Sequence, residues 1–150
     1  MKYAVFTTTT PEWSPEEAAQ KLAAQGWDGI EWGINDFPAA AEPSFRAGNR
    51  AVWPFTGLED NLNRIAQIMR DAGLEYSSIG GYALVHQRDD VERLLAATAR
   101  LGARQVRIGA PHVRSADYHT LLKLTRDDYA WVAERAAHHG IHLFDVALHG

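Results

Sequence analysis

One pattern recurs along this chain and restricts its fold more than any other feature: an amphipathic run at helical spacing, a glycine, one or two residues, then a short β-prone run. The closing glycines are Gly26, Gly73, Gly102 and Gly140. Glycine suits that place because a helix commonly ends on a residue in the left-handed conformation. Strands alternating with helices at this spacing imply right-handed βαβ crossovers and a parallel sheet, which places the chain in the α/β class.

The first strand is read as Tyr3 to Thr8, within the run that ends in Thr7 to Thr10. Ser14, Pro15 and Glu17 then spell a capping box with proline at the first helical position, where its missing N–H does no harm. Ala18, Ala19, Leu22 and Ala23 form the apolar stripe, and the second strand follows at about Gly29 to Gly33. A second helix from about Leu58 to Ala72 carries Leu62, Ile65, Ala66 and Met69 on one face, and strand three is Glu75 to Ile79. Asp89 is expected to open helix three in another capping box with Glu92, with strand four at Gln105 to Gly109. Thr125 is expected to open helix four, and a fifth strand starts at Ile141 and runs to about Leu148. The one long connection, Ile34 to Gly57, is rich in proline, alanine and aromatics, and connections of that length inside a compact domain are usually functional.

The 150 residues read as a single domain, 1–150, with ordinary proportions of 46% apolar and 23% charged residues. A net charge of −4 argues against nucleic acid or anionic membrane as partner. With no cysteine, disulfides, thiolate metal sites and cysteine nucleophiles are excluded. No run is long and apolar enough for a signal peptide or a membrane span, so a cytoplasmic setting is the expectation.

About five strands and four helices allow two architectures. An open doubly wound sheet of the flavodoxin type suits the length, since a (β/α)8 barrel usually needs at least ~200 residues. The strands favour a partial barrel. Central strands of a sheet covered on both faces are near-continuous apolar runs, whereas here Glu31 stands between Ile30 and Trp32, and Arg107 between Val106 and Ile108. Charged side chains on parallel strands need a polar interior such as a barrel mouth. No glycine-rich phosphate loop follows strand one.

The segments MKYAVFTTTTPEWSPEEAAQKLAAQGWDGIEW, GLEYSSIGGY and LGARQVRIGAPH resemble the sugar phosphate isomerase/epimerase members of the xylose isomerase-like TIM barrel superfamily. GWDGIEW and VRIGAP are the most specific pieces, and the resemblance covers the N-terminal half of such a barrel, strands one to five. It implies an isomerase or epimerase acting on a small sugar, keto-sugar or polyol, with a divalent metal (Mn, Mg, Co or Zn) polarising oxygens while a carboxylate moves a proton. In that family the first metal-binding glutamate lies on strand five in a Glu-x-His arrangement. Here that strand reads IHLFDVALHG, with Val146 where the glutamate should be, so Asp145 and His149 are the metal-ligand candidates that remain. The remaining ligands of the family would lie in the second half, so the metal site is expected to be absent or incomplete, and truncation by a frameshift near Phe144 is one explanation.

Glu31, Arg107 and His112 are the candidate catalytic residues, and Phe6, Trp13, Trp53, Ser78 and Tyr82 the candidate sugar-binding ones. Aromatic faces pack on sugar C–H groups and an arginine fork suits oxygen ligands. Each has a plainer alternative: Glu31 and Arg107 as a structural ion pair, the aromatics as core, Ser78 and Tyr82 as satisfiers of loop backbone. His138 and His139 suit the negative end of a helix. A rival reading is a non-catalytic half barrel whose open strand edges make it a homo-oligomer. Apurinic-site endonuclease activity, found in the same superfamily, would need a basic groove that the charge does not offer.

Overall fold

The computed structural model describes residues 1–111 and 118–144. In chain order the elements are β1 (Ala4–Phe6), a 3-10 turn (Thr7–Thr9), α1 (Pro15–Ala24), β2 (Gly29–Ile34), α2 (Leu58–Ala72), β3 (Glu75–Gly81), α3 (Arg88–Leu101), β4 (Gln105–Arg107), α4 (Tyr118–His138) and β5 (His142–Phe144). The strands form one sheet in the order β1-β2-β3-β4-β5, every pair parallel.

That order decides between the two architectures. Each right-handed crossover steps to the next strand in the same direction, so all four helices lie on one face. Consistent with this, α1 packs on α2, α2 on α3 and α3 on α4. A doubly wound sheet needs a reversal of strand order to put helices on both faces, and none occurs among the described strands. The fold is a singly wound α/β unit, as a barrel segment requires.

Local chemistry explains the helix limits. Ser14 Oγ accepts from Glu17 N at 3.2 Å while Ser14 N donates to the Glu17 carboxylate at 2.7 Å, closing the predicted capping box. Helices α2 and α3 stop at Gly73 and Gly102, whose φ of 66° and 78° a side chain would resist.

Other boundaries differ from the sequence reading. β1 ends at Phe6, because Thr7–Thr9 turn at once into the 3-10 segment. Asp89 caps nothing: α3 starts at Arg88, no side chain caps it, and Glu92 binds Arg135 and His139 instead. α4 begins seven residues before Thr125, which sits inside it. β4 ends at Arg107, and Gly109 makes only an isolated bridge to Leu84. The end of the expected fifth strand, with Asp145 and His149, lies outside the described residues, as does His112.

The core lies between the sheet and its helices. Ile30, Trp32, Ile79 and Val106 from the strands meet Leu58, Ile65, Leu94 and Leu95 from α2 and α3, all fully buried. Each such side chain contributes roughly 1.5–3 kcal/mol through burial. Because strand side chains alternate, the residues between these core positions are turned to the opposite, inner face of the sheet. Among the described residues no helix is long and apolar enough to cross a membrane.

Candidate functional site

The inner face is built by register. Phe6 lies opposite Glu31, and Glu31 opposite Ser78, so three strands place these residues in one row. A β-bulge makes this possible. Ile30 pairs with Tyr76 and Glu31 with Ser78, which leaves Ser77 as the extra residue and changes which serine faces the carboxylate. Ser78 is buried and stands opposite Glu31 in the register.

Arg107, the last residue of β4, completes the group. Its Nη1 stands 4.0 Å from Glu31 Oε1, with 15% and 19% of the two side chains exposed. The guanidinium lies 4.8 Å from the Phe6 ring centroid and 4.7 Å from that of Tyr82, so an aromatic ring stands against it on each of two contacts. Its Nε donates to Gly81 O at 3.2 Å, and its Nη2 is buried with no acceptor. Leaving such a donor unmatched costs roughly 1–3 kcal/mol. Burial pushes the Glu31 carboxyl above its ordinary value, against the opposing pull of Arg107 and Ser78.

Two glycines facing each other in register make room for this arrangement. A Cβ on Gly80 would stand 2.6 Å from Phe6 Cε2 and 2.8 Å from Glu31 Oε1. A Cβ on Gly33 would stand 2.8 Å from Thr8 Oγ1 and 3.4 Å from the same Phe6 carbon. The Phe6 ring therefore lies on a floor that carries no side chains at those positions. Thr7 Oγ1 fixes that floor by accepting from Gly33 N at 3.1 Å.

The long connection supplies further aromatic surface. Phe45 meets Phe6 edge-on at 6.2 Å, and Phe37 meets Tyr82 edge-on at 5.3 Å. Asn49 ties the segment down by donating to Thr8 O at 3.0 Å and Phe45 O at 3.3 Å. Thr56 N and Oγ1 both donate to Asp36, and these bonds outweigh the effect of partial burial and hold its carboxyl below the usual range.

Of the residues singled out from the sequence, Phe6, Glu31, Ser78, Tyr82 and Arg107 come together. Trp53 does not join them: it is 3% exposed, packed at 6.0 Å against Trp32 on the helix side of the sheet. Trp13 packs against the same core with Lys21 over its ring at 4.7 Å. Sequence reasoning missed Phe37, Phe45 and the paired glycines. The aromatic-rich connection and the Gly80-Gly81 doublet were the available signals.

Among the described residues no group of three or more histidine, aspartate or glutamate side chains could hold a metal ion. Glu31 is already turned toward a guanidinium, so these residues do not fit a divalent metal.

The fold has counterparts among solved structures. The 3-keto-D-glucoside 4-epimerase of E. coli is similar over 97% of this chain and 55% of its own, at 17% identity and TM-score 0.67. The D-allulose 3-epimerase of Methylomonas sp., solved with D-allulose, gives 97%, 50%, 14% and 0.64. A xylose isomerase-like TIM barrel protein of Mycobacterium smegmatis, solved with magnesium, gives 96%, 54%, 15% and 0.66. The fold is that of half a TIM barrel. Five sequential parallel strands and four helices fit its N-terminal half. The chain spans about half the length of these structures. No family model and no curated protein matches the sequence.

Proposed function

We propose that this half barrel is the substrate-binding part of a sugar isomerase or epimerase acting on a small sugar, keto-sugar or polyol. The observation that carries the reading is the meeting of Glu31, Ser78 and Arg107 with the rings of Phe6 and Tyr82 on the inner face. Charged groups held among aromatic rings on a sheet's concave side suit a ligand with hydroxyls on its edges and C–H groups on its faces. The sugar epimerases of the same fold support the choice of substrate class.

In this reading Arg107 donates to a substrate oxygen, Ser78 orients Glu31, and Glu31 accepts from or exchanges a proton with a hydroxyl beside the carbonyl carbon. Phe6 and Tyr82 hold the guanidinium and the sugar in place. His112 is a candidate second acid–base group. A divalent metal would polarise the substrate's oxygens; its ligands would come from outside the described residues, Asp145 and His149 being candidates. A cytoplasmic setting belongs to the same proposal. The outer edge of β1, which no described strand pairs, supports either association with a second copy or pairing with further strands of the barrel.

The test is aldose–ketose interconversion and epimerisation over a sugar panel, with Mn, Mg, Co or Zn added and bound metal and oligomer mass measured alongside. Turnover that falls at least about tenfold in Arg107→Met supports the reading. No turnover and no sugar binding across the panel overturns it.

A further inference from the structure

We propose that the gap between Glu31 and Arg107 is a hydroxyl subsite that selects neutral hydroxylated ligands over phosphorylated or carboxylated ones. The inference rests on the reading of the inner face as a sugar site and specifies what that site takes.

The separation is the starting point. At 4.0 Å, Arg107 Nη1 and Glu31 Oε1 are too far apart for a direct hydrogen bond. An oxygen placed about 2.8 Å from each closes an angle of about 90° and bonds to both. To do so it must offer a lone pair to the guanidinium and a proton to the carboxylate. A hydroxyl does both. A phosphate or carboxylate oxygen has a lone pair but no proton, and in the same place it brings negative charge against Glu31.

The gap is held open rather than left loose. Arg107 is fixed by the rings of Phe6 and Tyr82 and by its bond to Gly81 O. Ser78, buried, stands opposite Glu31 in the sheet register. Gly80 lies so near Glu31 Oε1 that even a methyl group there would collide. Neither partner closes on the other without disturbing these contacts. Nη2 is buried without an acceptor, so the nitrogen that borders the gap and can donate to a ligand there is Nη1. Arg107 keeps hydrogen-bonding capacity for a ligand, while Glu31 keeps the subsite close to electroneutral.

Arginine binds a carboxylate or phosphate through charge-assisted, frequently bidentate hydrogen bonds. Here a like charge would sit within one oxygen's width of the incoming anion, a juxtaposition that disfavours it. A water molecule meets the same geometric requirement as a hydroxyl, so the decisive quantity is selectivity between ligands.

The experiment measures equilibrium binding to the full chain by calorimetry, with D-fructose and xylitol as neutral probes and D-gluconate and inorganic phosphate as anionic ones. The native chain is expected to favour the neutral probes by at least about tenfold. Glu31→Gln, which keeps the shape and removes the charge, is expected to bring gluconate to within about threefold of fructose. Circular dichroism checks that the variant is folded, and the native selectivity stands as a test without it. Gluconate or phosphate bound as tightly as fructose by the native chain, or selectivity unchanged in a folded Glu31→Gln, overturns the subsite and leaves the sugar reading standing. Failure of every probe to bind overturns both.

Discussion

The two faces of the sheet are made by neighbouring residues of the same strands, yet they obey different rules. On the helix side Ile30, Trp32, Ile79 and Val106 are buried among apolar side chains and need nothing more than close packing. On the inner side Glu31, Ser78 and Arg107 are partly or wholly buried polar groups, one ion pair is held at arm's length and one guanidinium nitrogen lacks an acceptor. The first face contributes stability; the second detracts from it, as sites that keep binding capacity in reserve generally do. One residue's step along a strand separates them.

The comparison can be broken by substitutions that should damage one face and not the other. The largest effect is expected from Ile79→Ala, which opens a cavity under α2 and α3 and should cost about 2–5 kcal/mol in urea unfolding, with sugar binding retained wherever the protein remains folded. Gly80→Val attacks the inner face from the adjacent position. Its branched side chain meets Phe6 and Glu31, and overpacking of this kind should cost about 1–3 kcal/mol while abolishing binding of neutral sugars. A binding loss in Ile79→Ala equal to that in Gly80→Val would show that the faces are not separable.

A smaller effect sharpens the claim that the inner face detracts from stability. The Glu31 carboxyl is raised above its ordinary value by burial. Its contribution to stability is therefore fully present below the ordinary value of 4.5 and is lost as pH rises through the raised one. Urea midpoints of the native chain and Glu31→Gln between pH 4 and 8 should converge or cross on the acid side, the native chain gaining as pH falls. The opposite slope would mean that Arg107 outweighs burial.

The smallest effect belongs to the outer surface. Glu92 accepts from Arg135 and His139 across α3 and α4, and those bonds bring its carboxyl down to about 2. Stability from this depressed group is present above 4.5 and fades as pH falls toward 2. With 36% of the Glu92 side chain exposed, solvent screening limits the contribution. Glu92→Gln should therefore lower stability by less than about 1 kcal/mol at neutral pH, and the difference should disappear near pH 2.

Much of this was legible in the residues. Ser14 with Glu17 fixed one helix start because capping is local, and Gly73 and Gly102 fixed two ends because a left-handed residue is a local demand. Glu31 between Ile30 and Trp32 announced a polar inner face because strand alternation is local too. Asp89 misled for the opposite reason: its spacing to Glu92 fits a cap, but Arg135 and His139, more than forty residues away, claim that glutamate. Trp53 misled because an aromatic in a loop reads the same whether it lines a pocket or packs under Trp32.

By itself, then, the sequence determined the alternation of strands and helices, most of their ends, and which residues are polar where a strand should be apolar, all of which depend on contacts within a few residues. Tertiary structure alone decided the strand order that excludes a doubly wound sheet, the bulge that selects Ser78 over Ser77, and the 4.0 Å gap between Glu31 and Arg107. Those depend on register between strands far apart in the chain, where a shift of one residue turns every side chain to the other face.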